Sequence, residues 1–421
     1  MRKLIFSSSV EKSEILSSKA ERIWATAAFV FFVFSCFVWI SHQINFGLAS
    51  ALGLVVPDSV NLTGALQELW IRNILFDLES GYYAIAVLYG WTWLIHPSLC
   101  FGVNAAMMLA NIALFRRVVV VMLGAPAWSV FGLLGNPYLI LVMPGPNKEI
   151  PLLLLTLLLM DALFRSSRRW SLAFALCIPL YLLRDGYGLI MLVLVGAVWI
   201  LLHRERLLPV VVFGISSAAA ALLLPLSTLI PAIERNIRIY SDVFHGQEAI
   251  GSVAAALALT PFDPVGGLIL YVLRIIYNLV SMAFFPVFVT RAGDFYWIGL
   301  AYWIYGLLVL MSLIGCAWRW LFLSSNHGLN LAASLSISVW LMVSLALFVQ
   351  PRYLMPVLPV AFGVLSALSV RSRTNTIGLA IGVSLVVMFI YAIQGKIPPS
   401  ATPEIANPPA YLIRMATEET H

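Results

Sequence analysis

Only 10% of the residues in this 421-residue chain are charged and 61% are hydrophobic, so polar groups set among the apolar runs are the first places to look for chemistry. Four such places stand out: Val56-Pro57-Asp58-Ser59, Asn147-Lys148-Glu149, Arg184-Asp185 at a Gly-containing turn, and Pro351-Arg352-Tyr353. Charge at membrane depth or at its edge is costly and is a functional candidate by default. Each place also has a plainer reading. Asp58 fits a helix N-cap, and Glu149 fits a charge favouring a helix N-terminus. Arg184 and Asp185 fit a self-satisfied pair, and Arg352 fits a side chain reaching for lipid headgroups. All four on one face of a membrane is harder to explain that way. A carboxylate there can take a proton from an acceptor hydroxyl or amine. Arginine and lysine can bind a phosphate and stabilise it as a leaving group. Together they suit transfer of a sugar from a lipid-linked phosphate donor, since a nucleotide sugar is not available outside the cell.

The elements that must position these groups are membrane helices. A soluble domain carries roughly 25% charged residues, and a mean hydropathy of +0.95 leaves a bilayer as the only solvent for so much apolar side chain. The pI near 9.2 reflects Lys and Arg in short loops rather than nucleic-acid binding. Cys36, Cys100, Cys177 and Cys316 lack metal-ligand spacing and read as buried thiols. The expectation is an all-α, polytopic transmembrane helical bundle of about 10–12 spans, one domain over 1–421. Residues 1–23 form a cytoplasmic segment before a first, retained span at roughly 24–40. A first outer loop over 42–100 carries juxtamembrane helices; the aromatic helix over 81–95 reads as lying on the outer surface, with a short span as the alternative. A second long outer loop covers 231–264, and a tail covers 396–421.

Further apolar runs are expected at 101–115, 118–143, 150–164, 170–183, 189–202, 207–230, 329–349, 354–370 and 376–394. Placing the N-terminus and the turns near 116, 165, 204, 319 and 371 inside leaves only Glu11, Glu14, Glu21, Asp161 and Glu205 among the acids on that face. That is the positive-inside pattern. The segment 265–290 fits this parity as an interfacial or re-entrant stretch, interrupted by Arg274, Asn278 and Pro286.

The order of parts resembles the GT-C superfamily of membrane glycosyltransferases, which includes protein O-mannosyltransferases and aminoarabinose lipid A transferases. Asp58 matches that family's acid in the first outer loop. Gly81-Tyr82-Tyr83 with Leu88-Tyr89-Gly90 resembles its second juxtamembrane helix, and Glu149 matches a second loop acid. Arg352-Tyr353-Leu354-Met355-Pro356-Val357-Leu358-Pro359 matches its Arg-Tyr-Leu-x-Pro-x-x-Pro run. A weaker similarity is to bacterial polysaccharide polymerases that use undecaprenyl-linked repeats. No Asp-x-Asp metal motif is present.

The resemblance implies a polyprenyl-phosphate-linked sugar as donor, a glycan or glycolipid as acceptor, and a site on the periplasmic side of the inner membrane. The catalytic residues are then Asp58 as base and Glu149, which orients the acceptor or a divalent cation (Mg or Mn). Lys148, Arg184, Arg352 and Tyr353 bind the donor phosphate. Asp185, Tyr82, Tyr83 and His245 are candidates for acceptor and lipid contacts; His245 could also assist acid-base work, its plainer reading being a solvated loop histidine. A transporter or flippase is the rival class, and Asp263 reads as a turn residue.

Overall fold

The structure is a computed structural model, and it describes residues 2–45, 47, 49, 54, 83–96, 98–165, 167–201, 204–223, 263–283, 297–323, 326–346 and 351–393. Among these, every element is helical. Among the described residues four helices are long and apolar enough to cross a membrane: Ala20–Ile44, Leu99–Met122, Glu205–Leu222 and Trp303–Phe322. Four shorter apolar helices accompany them: Trp170–Leu183, Gly186–Leu201, Pro264–Val280 and His327–Val343. The outward side chains are apolar, Phe29, Val121, Trp199, Ile200 and Leu385 among them, while Asn104, Asn111, Ser334 and Ser338 are buried inside. That inverts the soluble pattern and marks a membrane protein.

Helix α1 covers Arg2–Ile44, α2 Tyr83–Ile95 and α3 Leu99–Phe115. α2 packs against α3. Tyr89 Oη donates to Asn104 Oδ1 at 2.6 Å, and Thr92 Oγ1 lies 3.0 Å from Cys100 Sγ. The contacts step back along α3 as α2 advances, so the two helices run antiparallel. α3 continues through a π-helical stretch, Arg116–Met122, where a run of four valines weakens tight α-winding. Gly124, the one described glycine with positive φ (70°), then turns the chain at a conformation other residues resist.

The expected continuous span over 118–143 is instead broken into the 3-10 turn Ala127–Val130, α4 Phe131–Leu134 and α5 Pro137–Val142. Gly135-Asn136-Pro137 forces the second break. Proline lacks the N–H needed to continue the helix, and the Asn136 side chain caps the next one by accepting from Tyr138 N at 3.1 Å.

α6 (Glu149–Phe164), α7 (Trp170–Leu183) and α8 (Asp185–Leu201) follow as a packed hairpin series, and a 3-10 turn, Glu205–Leu207, leads into α9 (Leu208–Leu223). α10 (Pro264–Ala283) is one uninterrupted helix, not the broken segment expected from Arg274 and Asn278; Pro286 lies outside the described residues. Asp263 does act as a turn residue, accepting from Gly266 N at 2.6 Å.

α11 covers Trp297–Phe322 and α12 His327–Val343. Three polar side chains of α10 serve the end of α12 and the turn just after it. Arg274 Nη1 donates to Leu345 O at 2.7 Å, Asn278 Nδ2 to Ala346 O at 3.3 Å, and Tyr271 Oη to Leu341 O at 3.0 Å. Carbonyls at a helix C-terminus lack intrahelical partners, and no water in a bilayer core replaces them. A 3-10 turn, Pro351–Leu354, precedes α13 (Leu358–Ser366), and α14 (Val370–Ile393) closes the fold. Every residue of α13 is buried. It is admitted by small residues: a Cβ on Gly132 of α4 would meet Phe362 at 2.5 Å, and one on Gly315 of α11 would meet Leu365 at 2.9 Å.

The arginine-rich turns meet at one end of this bundle. Arg117 and Arg165 both bind Asp161, at 2.9 and 2.7 Å. Arg168 and His327 both bind Glu205, at 2.5 and 2.8 Å. Trp320 Nε1 donates to Arg206 O at 2.9 Å, and Arg116 faces Glu21 at 3.8 Å. Arg373 stands over the Trp128 ring, 4.8 Å from its centre. The four cysteines are free thiols.

Candidate functional site

At the opposite end, two groups of the expected residues take shape. The first is built on the turn between α7 and α8. Arg184 is the single residue separating them, with extended backbone (φ −156°, ψ 97°). Its carbonyl accepts from Tyr187 N at 2.9 Å and Gly188 N at 3.1 Å, so it starts α8 while ending α7. The reversal is this sharp because Gly188 lets α8 fold onto the backbone of Tyr181, where any Cβ would overlap. The Arg184 side chain is thereby aimed at the turn before α13. Its guanidinium carbon stands 4.5 Å from the centre of the Tyr353 ring, and that of Arg352 stands 5.8 Å from the same ring. Arg184 joins the distant pair Arg352 and Tyr353 in one cluster. Arg184 Nη1 is buried and has no hydrogen-bond partner.

The second group is built on the loop Pro144-Gly-Pro-Asn-Lys-Glu149. Asn104 of α3 donates to Met143 O at 2.9 Å and Gly145 O at 2.8 Å. Asn147 donates to Val142 O and Gly145 O, both at 3.1 Å, and accepts from Ile150 N at 2.9 Å, which caps α6. Tyr89 locks Asn104 from the other side. Each buried polar atom in this chain of bonds is satisfied by another, which fixes the loop in one shape.

The loop delivers Glu149 as a buried carboxylate, 4% exposed. Among the described residues its one hydrogen bond is from Lys148 N at 3.0 Å, and Tyr89 is an electrostatic neighbour. A buried acid with a single neutral donor is costly to keep charged unless it has a task or a visiting partner. The two groups flank α6. The Tyr187 hydroxyl sits beside Thr156 and Arg184 with no hydrogen bond of normal geometry. Thr156 lies seven positions after Glu149, about 10 Å down the helix axis.

Lys148 is half-buried at the start of α6. Asp58, Tyr82 and His245 lie outside the described residues, as do the side chains of Tyr83 and Asp185. Tyr187 and Asn104 were not anticipated, their only signal in sequence being a polar side chain inside an apolar run; Asn147 and Tyr89 fall inside the motifs singled out, but not with these partners. Among the described residues no three His, Cys, Asp or Glu side chains gather where a metal ion could be held. Comparison of the chain with known protein families, characterised proteins and solved structures finds no match.

Proposed function

We propose that this chain is a membrane glycosyltransferase that moves a sugar from a polyprenyl-phosphate-linked donor to a glycan or glycolipid acceptor. The observation that carries this reading is the convergence of Arg184 and Arg352 on the Tyr353 ring, with a buried Arg184 N–H left unmatched. Two guanidiniums on one aromatic plane form a rigid, cationic seat for a phosphate. The neighbouring loop adds Lys148 and the buried Glu149. In this reading the acceptor hydroxyl attacks the anomeric carbon, Asp58 takes its proton, and the carbon–oxygen bond to phosphate breaks with the negative charge carried to the arginines. Glu149 orients the acceptor. Asp58 and the periplasmic placement rest on the GT-C resemblance. Polymerisation of undecaprenyl-linked repeats would use the same seat with a growing glycan as acceptor.

The test is donor binding. Polyprenyl-phosphate sugar should saturate the purified wild type, and Arg352→Ala should weaken that binding by about tenfold or more, the effect of losing one charge-assisted bidentate contact. Equal affinity in both proteins would remove the arginine seat from the reading.

One observation favours a transporter instead. The broken segment 127–142 packs against the broken segment 351–366 through Gly132 and Phe362, and paired discontinuous helices are a transporter device. The side chains that meet there, at Gly132 and Phe362, are apolar, while the polar groups of the second segment, Arg352 and Tyr353, gather with Arg184 instead.

A further inference from the structure

Arg319, near the end of α11, is a buried charge that pairs with no acid among the described residues. It is 4% exposed. Its Nη2 reaches the Asn326 carbonyl at 3.5 Å, and its Nε has no hydrogen-bond partner. Among the described residues its charged neighbour is another cation, Arg206. Arg206 is held in place from two sides: its Nη2 donates to Leu323 O, and its own carbonyl accepts from Trp320 Nε1. The acids described at this end are engaged elsewhere. Asp161 binds Arg117 and Arg165, Glu205 binds Arg168 and His327, and Glu21 faces Arg116.

A structural role explains part of this. Cations favour a helix C-terminus, and Arg206 covers the Leu323 carbonyl just past the end of α11. That role does not explain why a second guanidinium is buried beside the first, nor why its Nε is left unmatched. Burying a guanidinium without an anion is costly, and placing two together adds repulsion. Both costs fall if an oxyanion joins them.

We propose that Arg319 and Arg206 hold a phosphate oxyanion at the arginine-rich end of the bundle, in the seam between α11 and the turn leading into α9. The Nε and Nη groups of a guanidinium form a planar fork that matches two oxygens of one phosphate. Basic pockets between membrane helices take the phosphates of lipid headgroups, and free phosphate has the same chemistry. This seat is at the opposite end of the molecule from Arg184 and Tyr353, and it serves a different ligand from the donor.

The test is thermal stability of the full-length protein in maltoside micelles, which contain no phosphate. Inorganic phosphate, phosphatidylglycerol, and diacylglycerol as an acyl-chain control are added separately at matched ionic strength. The wild-type Tm should rise with phosphatidylglycerol more than with diacylglycerol. The exposed-side-chain variant R206Q should lose at least about half of that extra rise, because a ligand stabilises only as far as it binds the folded state. R319Q should lose it entirely, and R206Q carries the test if R319Q fails to fold. A rise with inorganic phosphate as well, also lost in R206Q, assigns the seat to phosphate in general. A rise confined to phosphatidylglycerol assigns it to a lipid headgroup. An equal rise in wild type and R206Q, or no rise above the control with either phosphate source, overturns the proposal.

Discussion

The Arg184 guanidinium stands 4.5 Å from the centre of the Tyr353 ring, joining the α7–α8 turn to the turn that precedes α13. Neither residue could hold the other from its own element. Arg184 projects because Gly188 folds α8 directly back, and Tyr353 is offered by a 3-10 turn at the head of a fully buried helix.

The ring matters as a platform. A Tyr353→Ala variant should lose the cation–π contact, worth about 0.5–2 kcal/mol, and should raise the donor KM by roughly threefold to thirtyfold. Tyr353→Phe should keep most of it. Steady-state kinetics over donor concentration separate the two, and equal losses in both variants would point to the hydroxyl instead of the ring.

Gly188 is expected to act at a distance. Gly188→Ala sets a Cβ into the Tyr181 backbone, an overpacking of about 1–3 kcal/mol. It should lower activity through displacement of Arg184. Cysteine cross-linking between positions 184 and 353, efficient in the parent and poor with Gly188→Ala, is the check.

Glu149 should be needed for turnover. Glu149→Gln keeps the size and the hydrogen bond from Lys148 N but removes the charge. Transfer should fall by about 10²-fold or more, with Tm unchanged or raised, since a buried charge is relieved. A drop in Tm with activity intact would make Glu149 a structural residue.

The Tyr89–Asn104 bond should be structural. Tyr89→Phe leaves Asn104 Oδ1 buried without its donor, at a cost of about 1–3 kcal/mol. Denaturation in mixed micelles should show that loss, together with loosening of the 144–149 loop to protease.

At the other end, Glu205→Gln should destabilise by about 3–5 kcal/mol, because it removes the shared partner of Arg168 and His327 at a site 3% exposed. Donor binding in the surviving folded fraction should match wild type.

Much of this was legible in the sequence. The apolar runs and the basic turns announced a helical membrane protein, and the turns at 116, 165, 204 and 319 do meet at one end. Arg184, Arg352 and Tyr353 were selected as costly charges and an adjoining ring, and they do meet. What the sequence concealed has physical causes. The break at Gly135-Asn136-Pro137 was hidden inside a long apolar run, where hydropathy outweighs the backbone signals. Arg274 and Asn278 looked like interruptions because their partners, carbonyls in the turn just after α12, lie some 70 positions further along the chain. The antiparallel pairing of α2 with α3 depends on Tyr89 and Asn104, whose pairing leaves no mark in either helix's periodicity.

The most direct measurement is sugar transfer by the purified full-length protein in nanodiscs. Radiolabelled polyprenyl-phosphate sugars and a membrane glycolipid extract are supplied to wild type, Asp58→Asn and Arg184→Gln. We expect label to pass to a glycolipid acceptor with wild type, to remain on the donor with Asp58→Asn, and to pass only at raised donor concentration with Arg184→Gln. Transfer by Asp58→Asn at the wild-type rate, or no transfer by wild type while labelled lipid crosses the bilayer, would contradict the glycosyltransferase reading.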